Sequence, residues 1–213
     1  MSAWATPPGE RFNAVTHGVG SLLALIGSVA LVTVASASAD PWKIVGVSVY
    51  GLTLVLLYTL STLYHSVRGR AKRVLQKLDH QSIYLLIAGS YTPFCLVTLR
   101  GPWGWSLFGV VWGLAVIGGL QELRPKNEAR VLSVVMYMLM GWVVLVALVP
   151  LWTALGSVGL IWVAVGGLFY TVGIVFYVLD DRVRHSHGVW HLFVLAGSAC
   201  HYVAILRYVV RPA

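Results

Sequence analysis

Four groups of polar side chains interrupt an otherwise apolar sequence, and their spacing could hold a metal ion. His187 and His191 lie four residues apart, as do Ser61 and His65. That spacing puts both side chains on one helix face, where two imidazoles can chelate one ion. Glu10, Asn13 and His17 form a third stripe, three and then four residues apart, and Asp79 stands beside His80. Three neutral imidazoles without a thiolate suit zinc. They leave a fourth position open for water, which is the arrangement of a catalytic rather than a closed structural site. The same cluster could instead sense protons, because imidazole titrates near neutrality.

Each element also has a plainer reading. A single histidine such as His65 at a helix end more often caps the helix than binds metal. His80 and His185 read as interfacial, since each neighbours a better-placed residue. His201 is ten residues beyond His191, about 15 Å farther along a helix, and reads as a hydrogen-bonding core histidine. Cys95 and Cys200 both sit in apolar runs. They read as small buried hydrophobes, being too few for a disulfide framework. What favours a site is convergence of the groups, and convergence depends on the elements that carry them.

Those elements are membrane helices. Of 213 residues, 58% are hydrophobic and 10% charged, against about a quarter charged in a soluble domain. This excludes a soluble globular enzyme, a disordered tail or a nucleic-acid-binding module. A hydrocarbon span takes about 20 mostly apolar residues. Apolar stretches fall at about 17–37, 43–65, 80–99, 103–120, 131–149, 156–179 and 187–209. They are separated by Asp40-Pro41, the basic run 67–77, Gly101-Pro102, Arg124-Pro125-Lys126-Asn127 and Asp180-Asp181-Arg182. Pro93, inside the third stretch, predicts a kink. No basic segment precedes an apolar core in Met1–Thr16, so no cleaved signal peptide is expected.

The expected fold is therefore an all-α membrane protein, a seven-transmembrane-helix bundle forming one domain over residues 1–213. Eleven Lys and Arg residues fall on one side of these spans and four on the other. The positive-inside rule then puts the N-terminus in the cytoplasm and the C-terminus outside, across a plasma (inner) membrane. On that topology Glu10, Asn13 and His17, Ser61 and His65, Asp79, and His187 and His191 all lie at one depth near the inner leaflet. Ionisable groups there are a functional hypothesis by default.

The string Glu10-x2-Asn13-x3-His17, Ser61-x3-His65, Asp79 and His187-x3-His191 resembles the hemolysin III family. That family is the bacterial branch of the progestin and adipoQ receptor, or adiponectin receptor-like, family. The run from Asp79 to Phe94 is also typical of that branch. The resemblance covers nearly the whole chain. It implies a seven-helix bundle with a zinc ion held by His65, His187 and His191 near the cytoplasmic leaflet. It further implies that Asp79 holds the metal's water, with Ser61 close by, and that Glu10, Asn13 and His17 are structural or cavity-lining. The long cytoplasmic domain of the animal receptors is absent, so a hormone-receptor role has no basis.

Three functions compete. The first is zinc-assisted hydrolysis of a lipid amide or ester entering sideways from the membrane, with Asp79 accepting the proton of the attacking water. The second is a membrane-homeostasis or sensor protein that zinc holds together without turnover. The third is a pore-forming cytolysin, which needs a polar lining through the full thickness, yet the outer halves of the spans are nearly free of ionisable groups. A membrane lipid is the expected partner, and nucleic acid is not. Metal analysis of the purified protein should find about one zinc per chain, and none in a His187→Ala variant.

Overall fold

In lipid a backbone N–H or C=O without an internal partner costs several kcal/mol, so apolar runs of this length become helices. The computed structural model describes residues 6–7, 9–123 and 126–211, the side chains of residues 126–129 excepted. Among the described residues there is no strand. The helices are α1 (Arg11–Ser36), α2 (Pro41–Ser66), α3 (Gly69–Pro93), α4 (Pro102–Gln121), α5 (Lys126–Trp142), α6 (Leu148–Val178) and α7 (Ser186–Ala204). Their starts follow local chemistry. Asp40 accepts a hydrogen bond from the Trp42 amide at 2.9 Å, with Pro41 in the first turn of α2, as suits an N-cap followed by proline. The Arg124-Pro125 part of the expected break before α5 lies outside the described residues, as do Met1–Ala5.

Among the described residues, five helical stretches are long and apolar enough to cross a membrane: Arg11–Ser36, Pro41–Ser66, Pro102–Gln121, Arg130–Val178 and Ser186–Val210. Three expected spans, the third, fifth and sixth, depart from this set for definite reasons. Helix α3 begins at Gly69, well before the expected boundary at 80, and its first three turns carry Arg70, Lys72, Arg73, Lys77 and Asp79. Its apolar part is cut short at Pro93, where the chain passes into a π-helical turn, Phe94–Thr98. The fifth and sixth expected spans follow one another within a 49-residue stretch that no polar loop divides. A straight helix of that length would run about 74 Å. Instead it tightens into a 3-10 turn at Val143–Ala147 and reverses at Gly156, whose φ of 67° lies in the left-handed region. Arg130 bonds to the Tyr177 carbonyl, and Trp142 Nε1 donates to Thr171 Oγ1 at 3.2 Å. Those pairs close on Gly156 from both sides, so the two arms run antiparallel.

Neighbours in sequence pack side by side, α1 on α2, α2 on α3, α3 on α4 and α6 on α7, and α7 closes against α1. The closure is what matters for the site, because it brings the first and last helices onto the end of α2. Polar groups between the helices are paired across them. Tyr58 donates to Ser198 Oγ at 2.8 Å, and Tyr91 donates to the Met140 carbonyl at 2.9 Å. Cys95 and Cys200 are buried free thiols, and His201 Nε2 bonds the Val163 carbonyl at 3.2 Å.

Close approach of helix α4 to the π turn depends on Gly104. A Cβ there would lie 2.1 Å from the Cys95 carbonyl oxygen and 2.6 Å from that of Leu99. Backbone atoms cannot swing aside, so Gly104→Ala should destabilise the bundle by about 1–3 kcal/mol. At Gly109, on the same helix, an added Cβ meets nothing within 4 Å. Gly109→Ala should leave the thermal midpoint unchanged or slightly raised. Thermal unfolding of both variants in detergent checks the contrast.

Candidate metal centre

His65 stands on the last turn of α2, and His187 and His191 stand one turn apart at the start of α7. One potential ligand atom from each of the three rings lies within 4.8 Å of the other two. His65 is 2% exposed and His191 0%. In all three rings Nε2 is buried without a hydrogen-bond partner. The other nitrogen of each ring is engaged. His65 Nδ1 donates to Glu10 Oε2 at 2.5 Å, His187 Nδ1 to Asp180 Oδ2 at 3.0 Å, and His191 Nδ1 to Thr16 Oγ1 at 3.2 Å. With Nδ1 carrying the proton, each Nε2 presents a lone pair to the space between the rings. Outer partners of this kind orient metal-binding imidazoles and raise their basicity. The donor set therefore fits a borderline-soft ion such as zinc.

Each outer partner is itself held. Glu10, at the N-terminus of α1, accepts hydrogen bonds from Asn13 Nδ2 and Lys72 Nζ, both at 2.8 Å. Burial pushes its carboxyl up, but the bonds from His65, Lys72 and Asn13 outweigh that and hold it well below the usual carboxylate range. Thr16 donates in turn to the Asn13 carbonyl at 3.0 Å, which leaves its oxygen lone pairs for His191. Asp180, in the loop before α7, is raised by burial but lowered overall by the bonds from His187 and Arg130. Both carboxylates therefore stay ionised and can accept an imidazole proton.

Ser61 and Asp79 lie beside the three rings rather than among the three ligand atoms. Ser61 is 1% exposed and Asp79 5%, so both side chains are buried beside the cluster. Asp79 also lines an elongated cavity of about 340 Å³ whose remaining walls are mostly apolar, including Leu57, Phe94, Leu107, Leu151 and Val194. His17 stands at the same end of that cavity, and His201 farther along it. His80 faces Glu122 at 3.5 Å. His185 precedes α7 with a left-handed φ of 66°.

Thr16 and Asp180 had no mark in the sequence. Thr16 sits between the stripe residues Asn13 and His17 without matching their spacing, and Asp180 reads as an ordinary loop acid. Asp180 lies seven residues before His187, a separation that carries no helical message because a turn intervenes. For Glu10, stripe spacing pointed to the right helix face but not to His65 as the partner.

The sequence profile of the family described as Haemolysin-III related matches residues 6–202. The chain belongs to that family. It is 40% identical over 205 residues to the "Hemolysin-3" of Bacillus cereus, covering 96% of this chain and 93% of that protein. It is 38% identical over 203 residues to the "Hemolysin-3 homolog" of Bacillus subtilis (strain 168), covering 95% of each. A human relative, "Monocyte to macrophage differentiation factor", is 31% identical over 206 residues, 93% of this chain and 84% of that protein. With its apolar helices, this haemolysin-III family chain is a multi-pass integral membrane protein.

Losing an outer partner of a metal-binding histidine typically costs 10–100-fold in metal affinity. Glu10→Gln and Asp180→Asn should each weaken zinc binding by about that factor, measured by competition with a chromophoric chelator. A surface change such as Asp181→Asn, in the same loop, should do so far less.

Proposed function

We propose that this protein is a zinc-binding membrane hydrolase of the haemolysin-III family that cleaves a lipid amide or ester at the inner leaflet. The observation that carries the reading is the set of three buried, unpartnered Nε2 atoms beside an acid-lined end of an apolar cavity. A histidine cluster used only for packing would have no need of that cavity. A pore would need polar walls along its length, and these walls are mostly apolar. The accompanying topology is seven crossings in one domain, N-terminus cytoplasmic, in the plasma membrane. The antiparallel arms of α5 and α6 and the partly buried α3 are compatible with it, and the basic first turns of α3 suit the cytoplasmic face.

His65, His187 and His191 would hold the ion. The chemistry that zinc supplies when bound is Lewis acidity toward an acyl carbonyl and a lowered pKa for water, to about 7. The remaining work belongs to the chain. Glu10, Asp180 and Thr16 keep the three rings in one tautomer and orientation. The apolar cavity holds the acyl chain and keeps bulk water away from the reacting carbonyl. Asp79, with Ser61 close by, accepts a proton from the attacking water at a carboxylate oxygen and returns it to the departing amine or alcohol. The acyl group leaves as a fatty acid.

A second reading is favoured by the placement of the ligands. His65 is on α2, His187 and His191 are on α7, and their outer partners Glu10 and Thr16 come from the start of α1. Zinc would therefore staple three helices, and the protein could act in membrane homeostasis or sensing without turnover. Zinc-loaded protein incubated with a panel of N-acyl and O-acyl lipids separates the two. Hydrolysis predicts fatty-acid release that falls at least 100-fold in Asp79→Asn while zinc remains bound. Absence of release by fully loaded wild-type protein across the panel, with His65→Ala lowering only thermal stability, would select the stapling role instead.

A further inference from the structure

His17 is the one member of the Glu10-Asn13-His17 stripe that the metal centre leaves without a task. Its side chain is 2% exposed, and neither Nδ1 nor Nε2 has a hydrogen-bond partner. Its faces are occupied. The His191 ring stacks on it at 3.5 Å and 9° between planes, and Tyr58 meets it edge-on at 5.0 Å between centroids. The Tyr58 hydroxyl is already committed to Ser198. A parallel stack sets the nitrogens of His17 alongside those of His191 rather than pointing them at a shared centre. His17 is accordingly not among the three rings whose ligand atoms converge. It does line the apolar cavity, at the end where Asp79 stands.

A neutral imidazole carries one N–H donor and one lone pair. Burying both without partners is costly, and no other wall residue relieves the cost. We infer that His17 is a substrate-binding residue whose ring N–H donates to the acyl oxygen at the polar end of a chain lying in the cavity. The ligand chemistry is a carbonyl or carboxylate oxygen on a long alkyl chain. It can come from an uncleaved lipid amide or ester or from a released fatty acid. The inference rests on the acyl-lipid reading of the cavity but not on turnover. Stacking against His191 fixes the ring plane, so the donor is held in place before the ligand arrives, which reduces the ordering cost of binding.

The test measures binding of palmitamide, standing for the uncleaved amide, and of palmitate, standing for the released acid, to purified zinc-loaded protein. His17→Phe keeps an aromatic ring to stack on His191 and removes the donor. His17→Gln restores a donor without the ring. The inference expects His17→Phe to weaken palmitamide binding about tenfold, the size of one hydrogen bond, while zinc stoichiometry stays that of wild type. His17→Gln should recover most of that affinity. If palmitate alone responds to the substitution, the donor serves product rather than substrate, and the carbonyl assignment is overturned for the uncleaved lipid. Unchanged affinity for both probes in His17→Phe, or a parallel loss of zinc, would overturn the inference by making His17 a packing residue for His191. Should His17→Phe not fold, His17→Gln decides alone: tenfold weaker palmitamide binding with zinc retained rejects the donor role, and near-native binding upholds it. Wild-type protein that binds palmitamide yet releases no fatty acid from any lipid would sink the hydrolase reading while leaving this one standing.

Discussion

A polar atom buried in the hydrocarbon layer has no water to fall back on, so its partner must be built into the protein or brought by a ligand. Most of this bundle obeys the first half of that condition. Tyr58, Tyr91 and Tyr170 hydroxyls, lying deep among the helices, all reach a serine or a carbonyl on a neighbouring helix. The exceptions are concentrated. Of nine buried side-chain polar atoms without a partner among the described residues, five belong to the rings of His17, His65, His187 and His191. Four unsatisfied imidazoles in one place make a strained arrangement for a bundle alone and a prepared one for a bundle with a ligand.

Preparation extends outward from the rings. Each of the three converging rings, His65, His187 and His191, uses its Nδ1–H on an acceptor, and two of the three acceptors are carboxylates kept ionised by further donors. Lys72 and Asn13 serve Glu10, and Arg130 serves Asp180. Arg130 also ties the start of α5 to the end of α6, so the loop carrying Asp180 is anchored by the same contact that closes the α5–α6 hairpin. Helix packing and imidazole orientation are in this way one network. The cavity beside it is walled chiefly by α3, α5 and α6, with Leu57 of α2 and Val194 and His201 of α7 completing it. Chemistry at one end and chain volume along the rest is a division that suits a long amphiphile.

Much of this was legible in the sequence because the signals were local. Apolar length marks helices whatever they pack against, and spacing of four places His187 over His191 and Ser61 over His65 on their own helix faces. Where the signal depended on a neighbour, reading was poorer. Boundaries of α3 shifted because a charged amphipathic segment continues as helix beyond the apolar run. The boundary between the fifth and sixth stretches was poorly marked because a single glycine at positive φ, Gly156, reverses the chain without a polar loop to announce it. Thr16 and Asp180 were silent because a threonine in an apolar helix and an acid in a loop are ordinary until a ring nitrogen faces them.

The sequence by itself determined the membrane class, the helical elements, the family and the residue types able to hold a metal, since composition, period and spacing act within a single element. Only the tertiary structure decided which nitrogen of each histidine is free, which acids orient the rings, and that His17 stands apart from the three converging rings beside an apolar cavity. Those facts arise where α1, α2 and α7 meet. The meeting is set by packing between segments more than a hundred residues apart in the chain, and no local periodicity encodes it.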